Sequence, residues 1–326
     1  MKIVVFGGAG FIGTNFCLSA LDQGHKLICV DDLSRPGSED NLEKIERNAH
    51  AQQFEFKQLN IAIDGIEINE MMSRNRDVEL VLNLAAQVAV TLSIVSPMND
   101  FETNVRGNFN ILESLRLNRY KGKYIFASTN KVYGCSPIVG VNGVSESSPL
   151  QFATPYGCSK GAADQYTLDY AKTFGLNTTV LRQSCIYGEH QHGIEDQGWF
   201  AHFAIKAWRD EPITIYGDGK QVRDLLYVED LVDLYWRVAS SESTNGQAYN
   251  VGGGLYNVMD LNGCVSMLND ILHKNTPIKY SEVRNGDQPI FISDNSKIIE
   301  ATGWRPTTSI IRGFRLMYDW IVHNLD

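Results

Sequence analysis

The feature that most constrains this chain is a glycine-rich turn directly after its first apolar run. The run Ile3–Phe6 predicts a strand, glycines follow at positions 7, 10 and 13, and a helical pattern begins at about Phe11. Glycine lets the backbone turn tightly and approach a bound group without a Cβ in the way. The first turn of a helix adds free N–H groups and the positive end of its dipole, which attract a diphosphate. The turn therefore predicts the diphosphate-binding end of a dinucleotide site.

Asp31 predicts which dinucleotide binds. It ends the second predicted strand, Leu27–Val30, and stands eighteen residues after Gly13. A carboxylate at this point can accept hydrogen bonds from the hydroxyls of an adenosine ribose, whereas it would repel a 2′-phosphate. We therefore expect NAD rather than NADP as the cofactor.

Apolar runs alternate with helical stretches through the first half of the chain. Such strands pair in parallel and are covered on both faces, so they predict an α/β fold with a doubly wound parallel Rossmann sheet and a smaller C-terminal α/β substrate domain. We expect residues 1–183 to form the NAD-binding domain, with 224–252 returning to it, and residues 184–326 to bind the substrate. The later predicted strands are Leu80–Leu84, Tyr124–Ala127, Thr178–Leu181 and Ala248–Val251, and the predicted helices are Phe11–Gln23, Met98–Leu117, Cys158–Phe174, Leu231–Val238 and Ile310–Leu325.

The charge of the chain excludes two classes of partner. Its 38 acidic residues outnumber 29 basic ones, which gives a formal net charge of −9. Nucleic acid and anionic membranes attract basic surfaces, so neither is expected as a partner. No apolar run approaches the length that spans a bilayer, and the six cysteines form no CxxC pair. We therefore expect a cytoplasmic protein with reduced thiols.

The histidines do not predict a metal site. His190 and His192 are separated by one residue in a stretch without helical or strand pattern. A zinc site takes three or four protein ligands, and no third ligand stands at a recognisable spacing from this pair. We therefore expect no metal.

A tyrosine and a lysine are spaced for proton transfer. Tyr156 and Lys160 stand four residues apart at the predicted start of a helix, so their side chains share one face. A tyrosine that acts as a base near pH 7 needs its pKa lowered by about three units, or roughly 4 kcal/mol. An ammonium about 4 Å away supplies on the order of 4 kcal/mol at an effective dielectric constant of about 20. The pair therefore predicts a catalytic tyrosine that is activated by a lysine.

Two neighbouring motifs bear on this assignment. Thr129 ends the fourth predicted strand, at the sheet edge where ligands bind in such folds, so it is expected to hold the oxygen that loses its proton. Tyr216 and Lys220 repeat the spacing of four. Glycines at 217 and 219 interrupt that second pair, and we expect a turn there instead of a helix.

These motifs together resemble one family over nearly the whole chain. The chain resembles the extended short-chain dehydrogenases/reductases that act on nucleotide sugars, which implies an NAD-dependent epimerase. Stretches 128–134, 155–165 and 196–199 resemble the branch that inverts carbon 2 of CDP-linked 3,6-dideoxyhexoses. The resemblance rests on the glycine loop, Asp31-Asp32-Leu33-Ser34, Asn83-Leu84-Ala85-Ala86, Ser128-Thr129, Val132-Tyr133-Gly134, Tyr156 with Lys160, and the stretches 182–188 and 221–230.

The resemblance also implies roles for individual residues. Thr129, Tyr156 and Lys160 would be catalytic. Tyr156 and Lys160 would also contact NAD, with Lys160 holding its nicotinamide ribose. Ser184 and Cys185 would border its nicotinamide. The other residues implied to bind NAD are Gly7, Gly10, Phe11, Ile12, Gly13, Asp31, Asp32, Asn60, Ile61, Leu84, Ala85 and Ala86, and those implied to bind the nucleotide-diphosphate sugar are Gln87, Ser93, Thr129, Asn130, Lys131, Gln197, Arg223 and Arg284.

Two positions depart from the pattern of the family. Asn60-Ile61 replaces the usual Asp-Ile that faces adenine, although an asparagine can still pair there. Glu189-His190 replaces the common Pro-Arg, which leaves the phosphate side of the sugar site undefined. As in relatives, the helices near Met98–Leu117 and Gly161–Phe174 are expected to pack against a second subunit in a homodimer or homotetramer.

Three alternatives stay open at this point. A sugar-nucleotide 4,6-dehydratase of the same fold typically carries Asp-Glu where this chain has Asn130-Lys131, and neither of those residues can act as a carboxylate. An epimerase acting on carbon 4 of a UDP-linked sugar would use the same motifs. A non-catalytic NAD-binding regulator usually lacks the tyrosine and lysine that this chain retains.

Overall fold

The structure is a computed structural model that describes residues 1–49, 53–135, 139–284 and 286–325. Its strands alternate with helices along most of the chain, as the sequence predicts. In chain order the strands are β1 (Lys2–Phe6), β2 (Lys26–Asp31), β3 (Phe54–Gln58), β4 (Leu80–Asn83), β5 (Lys123–Thr129), β6 (Thr178–Gln183), β7 (Cys185–Tyr187), β8 (Ile213–Tyr216), β9 (Val222–Tyr227), β10 (Gln247–Val251), β11 (Val258–Asp260), β12 (Ile278–Ser281) and β13 (Ile290–Phe291).

The helices are of ordinary length apart from the 21-residue α7. A π-helical segment, Phe101–Arg106, joins α5 to α6, and a 3₁₀ turn, Asn130–Tyr133, follows β5. The α-helices are α1 (Phe11–Asp22), α2 (Ser38–Asn48), α3 (Gly65–Arg74), α4 (Val90–Val95), α5 (Pro97–Asp100), α6 (Gly107–Leu117), α7 (Thr154–Phe174), α8 (Trp199–Trp208), α9 (Val228–Ala239), α10 (Leu261–Leu272), α11 (Ser296–Thr302) and α12 (Ile310–Asn324).

The central feature is a seven-stranded parallel sheet in the order β10-β6-β5-β4-β1-β2-β3. The chain winds outward from β1 in one direction through β2 and β3, and in the other through β4, β5 and β6. This is the doubly wound arrangement, and it confirms the predicted fold class. β10 arrives from the later part of the chain and pairs with β6.

The first strand explains why these runs are almost wholly apolar. Ile3 and Val5 face one core of the sheet while Val4 and Phe6 face the other, and all four are fully buried. A strand covered on both faces needs an apolar residue at every position. Residues of α1 and α9 pack on one face, and residues of α3, α6 and α7 pack on the other.

The structure departs from the sequence prediction at one strand and two helices. β3 was not predicted, because this edge strand is only half-buried and alternates polar with apolar residues. α7 begins at Thr154 rather than Cys158, with Pro155 in its first turn, where the missing N–H of proline leaves no bond unmade. The π-helical segment interrupts the predicted helix Met98–Leu117.

The smaller part of the molecule begins directly after β6 of the large sheet. Only Ser184 separates β6 from β7, which pairs with β9. β9 also pairs with β11 and β13, while β8 and β12 form a separate two-stranded sheet. Aromatic residues such as Tyr187, Phe200 and Phe314 fill the core between these strands and helices α8, α10 and α12. The carboxyl edge of the large sheet therefore faces the smaller part across a cleft.

Two features, a membrane-spanning helix and a metal-binding cluster, are absent from the residues that the structure describes. None of their helices is long and apolar enough to cross a membrane. Within the same residues, no group of three or more His, Cys, Asp or Glu side chains is arranged to hold a metal ion.

Candidate active site

The glycines of the turn after β1 are needed for two different reasons, internal packing and space for a ligand. A Cβ at Gly7 would lie 2.6 Å from the nitrogen of Ala85, and one at Gly13 would lie 2.1 Å from the carbonyl oxygen of Gly7. Those two glycines are required by packing of the protein against itself. A Cβ at Gly10 would meet only that same carbonyl, at 3.3 Å, and Gly10 lines the cleft at the start of α1. Its missing side chain leaves room for a bound group, so the turn fits the diphosphate of a dinucleotide.

Asp31 lies where the sequence predicts, at the end of β2 beside the turn. Its Oδ2 accepts from the backbone N–H of Ala9 at 3.0 Å, and its Oδ1 accepts from Leu33 at 2.9 Å. Burial raises the pKa of this carboxyl, and the two backbone bonds oppose the rise. A carboxylate has about four acceptor positions, so the aspartate keeps capacity for hydroxyl groups of a ligand in the cleft that it lines.

Asn60 is held by two contacts within the protein. Its side-chain nitrogen donates to Asp32 at 2.7 Å, and its side-chain oxygen accepts from the backbone N–H of Ala62 at 2.9 Å. An aspartate at position 60 would place two carboxylates in contact here. The amide therefore accounts for the departure from the family's usual residue, and its pairing with adenine stays a prediction.

Tyr156, Lys160 and Thr129 come together at the carboxyl end of β5. Tyr156 and Lys160 share one face of α7, as their spacing predicts, and all three residues are less than a tenth exposed. Burial raises the pKa of Tyr156 to about 12, and a hydrogen bond to Thr129 acts in the opposite direction. The charges that act on this phenol are Asp100, which raises its pKa, and Arg35, which lowers it.

Lys160 has a different electrostatic state from the one assumed in the sequence argument. Its Nζ donates to the carbonyl oxygen of Ala127 at 2.6 Å and lies 4.3 Å from the centre of the Phe126 ring. Burial lowers its pKa to about 7. A lysine with a lowered pKa is charged for a smaller fraction of the time near pH 7, so it stabilises a phenolate less than a full ammonium would.

The repeated motif at Tyr216 and Lys220 is a turn, as predicted. Gly217 and Gly219 adopt positive φ angles of 88° and 76°, which break the helical spacing. The side chain of Lys220 is 78% exposed and lies 3.7 Å from Asp218. The decoy pair therefore cannot share a helix face.

A cleft of about 410 Å³ joins these groups, and we call it the cofactor cavity. It runs from the glycine turn, past Asp31, to Tyr156. Every residue that the resemblance implies for NAD lines it: Gly7, Gly10, Phe11, Ile12, Gly13, Asp31, Asp32, Asn60, Ile61, Leu84, Ala85, Ala86, Tyr156, Lys160, Ser184 and Cys185.

A second cleft of about 220 Å³, the substrate cavity, lies beside the first. Arg223 lines it and forms an ion pair with Asp287 at 2.5 Å. Arg284 also lines it, 3.5 Å from Asp196 and 3.8 Å from the centre of the Tyr216 ring. The residues shared by the two cavities are Val90, Asn130, Lys131, Ser184, Cys185, Asp196, Gln197, Gly198 and Trp199.

Lys131 adds a buried cation between the cavities. Its Nζ donates to the carbonyl oxygen of Gly286 at 3.1 Å and lies 3.9 Å from Asp287. Burial lowers its pKa, and the charge of Arg223 acts in the same direction. Together with Arg223 and Arg284 it gives the substrate side three basic groups, which suits an anionic ligand.

Two residues implied to bind the sugar do not line either cavity. Gln87 is buried, and its side-chain nitrogen donates to Asp100 at 2.7 Å and to Ala89 at 3.0 Å. Ser93 is fully buried and donates to the carbonyl oxygen of Val90 at 2.7 Å. Internal partners take up both side chains in this structure, and their implied contacts with the sugar stay a prediction.

Three residues near the site were not predicted. Arg35 lines the cofactor cavity, Asp287 pairs with Arg223, and the fully buried Asp100 acts on Tyr156. A cation four residues after Asp31 is a signal that could have revealed Arg35. Asp100 and Asp287 have no comparable local signal, because their partners lie far away in the chain.

The sequence and the fold match one class of enzyme. Residues 3–252 match the NAD dependent epimerase/dehydratase family, and the chain belongs to this family. It is 40% identical to CDP-paratose 2-epimerase of Salmonella typhi, over 98% of this chain and 99% of that one. These matches confirm the predicted family, the cofactor NAD and the enzyme class, an NAD-dependent epimerase of nucleotide sugars.

Solved structures agree with the fold. The UDP-glucose 4-epimerase of Thermotoga maritima, solved with UDP-glucose, covers all of both chains with a TM-score of 0.88 and 30% identity. The UDP-glucose 4-epimerase of Thermus thermophilus, solved with NAD, also covers all of both chains, with a TM-score of 0.87 and 27% identity.

Proposed function

We propose that the chain inverts carbon 2 of a CDP-linked sugar, converting CDP-paratose to CDP-tyvelose. The observation that carries the proposal is the 40% identity to CDP-paratose 2-epimerase over nearly the full length of both chains. The geometry supports it, because the cofactor and substrate cavities share Asn130, the neighbour of Thr129, and Thr129 is hydrogen-bonded to Tyr156 in the cofactor cavity. A sugar carbon and a nicotinamide can approach each other at this junction.

The side chains of the protein transfer the proton of one sugar hydroxyl and bind the oxygen of that hydroxyl. NAD held by the residues that line the cofactor cavity would supply the hydride acceptor for carbon 2 and the hydride for its return, and its positive charge would favour the phenolate. Thr129 holds the sugar hydroxyl, and Tyr156 takes its proton during oxidation and gives it back during reduction. Lys160 orients the nicotinamide ribose and, when protonated, favours the phenolate. The keto sugar turns over between the two steps, so the site must hold the nucleotide while the sugar moves.

The substrate cavity supplies that anchor. Arg223, Arg284 and Lys131 line this cavity and would contact the nucleotide and its diphosphate, while Asn130 and Gln197, which also line it, would contact the sugar. Arginine recognises phosphate through two parallel N–H bonds, which fix direction as well as position. A diphosphate held in this way lets the sugar rotate about the bond that joins it to the phosphate.

Residues at positions 130 and 131 disfavour a dehydratase. Elimination of water needs an acid and a base beyond the tyrosine. Asn130 is an amide, and Lys131 is engaged with Gly286 and Asp287. Neither side chain can replace the Asp-Glu pair of the dehydratases, so we favour epimerisation without loss of water.

We also propose that the chain acts in the cytoplasm as a homodimer or homotetramer. Large apolar side chains are exposed along α4 to α7 and the π-helical segment, which supports a contact with a second subunit. Light scattering should give a mass that is two or four times that of the chain. A monomeric mass would contradict the proposed assembly but would not bear on the proposed reaction. The exposed side chains are Leu92, Ile94, Val95, Met98, Phe101, Phe109, Leu117, Tyr166 and Phe174.

A panel of sugar nucleotides tests the proposed substrate. Purified protein would be incubated with CDP-paratose, UDP-glucose and dTDP-glucose, and the products would be identified by NMR. We expect inversion at carbon 2 of the CDP sugar only. Inversion at carbon 4 of UDP-glucose would show that the enzyme is an epimerase that acts on a different carbon and nucleotide. A 4-keto-6-deoxy product from dTDP-glucose would show that it is a dehydratase.

A further inference from the structure

Asp164 is a fully buried carboxylate on the side of α7 that also carries Tyr156 and Lys160. It stands four residues after Lys160, as Lys160 stands four residues after Tyr156, so the three side chains follow one another along the helix. Tyr156 and Lys160 line the cofactor cavity, whereas Asp164 lies behind them and lines neither cavity. A buried charge is costly unless it is paired, so the partners of Asp164 indicate its role.

Four hydrogen bonds hold this carboxylate. Its Oδ2 accepts from the hydroxyl of Ser128 at 2.8 Å and from the Nε of Arg182 at 2.9 Å. Its Oδ1 accepts from a terminal nitrogen of Arg182 at 3.0 Å and from the side-chain nitrogen of Gln165 at 2.9 Å. The two bonds to Arg182 form a bidentate ion pair, which balances the buried charge. The bond to Ser128 is not needed for that balance, and it joins α7 to the end of β5.

The end of β5 is bound to this side of α7 at three consecutive residues. The contacts join Lys160 to the carbonyl oxygen of Ala127 at 2.6 Å, Asp164 to the hydroxyl of Ser128 at 2.8 Å, and Tyr156 to the side chain of Thr129. Ser128 is the residue before Thr129, so a shift of Ser128 would move Thr129 relative to Tyr156. The bond from Ser128 to Asp164 therefore helps to set the distance between the two catalytic hydroxyls.

Asp164 also acts on Lys160 through its charge. Burial lowers the pKa of Lys160 to about 7, and the negative charge of Asp164 opposes that fall. The other close contacts of the Lys160 Nζ are the carbonyl oxygen of Ala127 and the ring of Phe126, neither of which carries a net charge. Asp164 is therefore a charged group that favours the ammonium form of this lysine.

Arg182 makes the effect of Asp164 on Lys160 larger. It lies on β6, is almost fully buried, and is balanced by the carboxylate. Without that carboxylate, a second buried cation would remain near Lys160 and would further disfavour its ammonium. Two further charged residues, Asp100 and Arg35, act on the neighbouring Tyr156.

We propose that Asp164 is a positioning residue for the reaction, which holds Tyr156 and Lys160 in register with Thr129 and helps to keep Lys160 charged. It acts through Ser128 and Lys160, and its own carboxylate does not reach the sugar or NAD. The role goes beyond the proposed function, because it depends on the shared tyrosine and lysine and not on which sugar is inverted.

A purely structural role for Asp164 predicts a different outcome. If the carboxylate served only to balance Arg182, the hydroxyl of Ser128 would be dispensable for turnover. Loss of the charge of Asp164 would then lower stability without changing how turnover depends on pH. Two substitutions separate these cases, because one breaks the bond to Ser128 and the other removes the charge.

Ser128→Ala tests the bond between α7 and β5. It removes the hydroxyl and keeps the ion pair of Asp164 with Arg182, so the variant should fold. We expect kcat to fall roughly 10- to 100-fold, because a small displacement of catalytic groups is costly. KM and the NAD content of the purified variant should stay within about twofold, since the cavities keep their binding residues. Steady-state kinetics would use the sugar nucleotide that the protein is found to convert.

Asp164→Asn tests the charge. Its amide oxygen can still accept from Ser128, but the negative charge that favours the ammonium of Lys160 is lost. The pKa of Lys160 should therefore fall, and turnover relative to the unchanged protein should be lower at about pH 8 than at about pH 6. Asp169→Asn, which changes an exposed acid of the same helix bonded to Thr173, is the matched control. It should leave turnover within about twofold at both pH values.

A double variant guards against misfolding. Asp164→Asn leaves Arg182 buried without its carboxylate, whereas Asp164→Asn combined with Arg182→Met contains neither buried charge. The double variant should show the same direction of pH dependence as Asp164→Asn, with a smaller change. Melting temperatures establish that each variant is folded.

Two results would overturn the proposal. A kcat for folded Ser128→Ala within about twofold of the unchanged protein, or a loss of NAD content as large as the loss of kcat, would exclude the positioning role. Equal relative turnover at both pH values in Asp164→Asn and in the double variant would exclude the effect on Lys160. Failure of the proposed reaction would be seen separately, in the products formed from the panel of sugar nucleotides.

Discussion

The two cavities differ in how their charged groups are partnered. In the cofactor cavity the first turn of α1 offers backbone N–H groups, and Arg35 has only neutral acceptors among its hydrogen-bond partners. In the substrate cavity Arg223 is paired with Asp287 at 2.5 Å, and Arg284 with Asp196 at 3.5 Å. A phosphate entering the first cavity meets donors that are free, whereas one entering the second must displace carboxylates. The difference suits a cofactor that stays and a substrate that leaves after every turnover.

Tyr156→Phe should have the largest effect, because it removes the hydroxyl that transfers the proton. The substitution removes one oxygen and keeps the ring packed, so turnover should fall by a factor on the order of 10² to 10⁴. NAD should remain bound, since the cofactor cavity is otherwise intact. The measurements are the steady-state rate and the NAD content of the purified variant. Turnover within about threefold of the unchanged protein would remove Tyr156 from the mechanism.

Lys160→Met should reduce turnover by a factor on the order of 10² and also weaken NAD binding. Its Nζ lies at the cofactor end of the site, where the resemblance places the nicotinamide ribose. Lys220→Met is the matched control, because this exposed lysine belongs to the decoy motif and should leave NAD affinity unchanged. Titration calorimetry with NAD distinguishes the two. Loss of NAD binding in the Lys220 variant alone would mean that the wrong tyrosine–lysine pair was chosen.

Arg223→Met should show most clearly that the two cavities bind different ligands. Removing a charged contact to phosphate costs about 1.5 to 3 kcal/mol, and Asp287 would be left facing the ligand, so KM for the sugar nucleotide should rise roughly 10- to 100-fold. Affinity for NAD should not change. Arg237→Met, in an exposed pair on α9, is the control and should alter neither quantity. A drop in NAD affinity of similar size would show that the cavities are not independent.

Asp31→Ala should have the smallest effect of the four substitutions. The unchanged protein should bind NAD at least about tenfold better than NADP, a difference of about 1.4 kcal/mol, and the variant should narrow that ratio. Asp31→Asn keeps an acceptor but removes the charge, so it should narrow the ratio mainly by improving NADP binding. Equal affinity of the unchanged protein for both dinucleotides would exclude the role assigned to Asp31.

The comparison of cavities also explains how far the sequence could predict the site. Backbone groups and short motifs build the cofactor cavity: the turn 7–13 and Asp31 follow consecutive strands of one sheet. Strand order brings such neighbours together without any knowledge of side-chain packing. The fold and the cofactor-binding wall could therefore be predicted from local pattern alone.

The substrate side depends on contacts between residues far apart in the chain. The pairing of Arg223 with Asp287 and the bond from Arg35 to Gln197 span 64 and 162 positions, and no local pattern indicates either of them. The resemblance implies that Gln87 contacts the sugar, but it does not indicate the bond from Gln87 to Asp100, which depends on how the π-helical segment folds back. The low pKa of Lys160 likewise follows from burial, which spacing does not reveal.

The path of the hydride tests the central claim most directly. CDP-paratose carrying deuterium at carbon 2 would be converted in ordinary water, and unlabelled substrate would be converted in deuterated water. Because the hydride stays on the cofactor and the hydroxyl proton is never bound to carbon, we expect the label to remain at the inverted carbon 2. The product made in deuterated water should carry no deuterium on carbon. Inversion at carbon 4 with retention of a label there would support transient oxidation but would mean that carbon 4, not carbon 2, is the reacting carbon. Loss of the label from carbon 2, or uptake of solvent deuterium on carbon, would contradict epimerisation by transient oxidation.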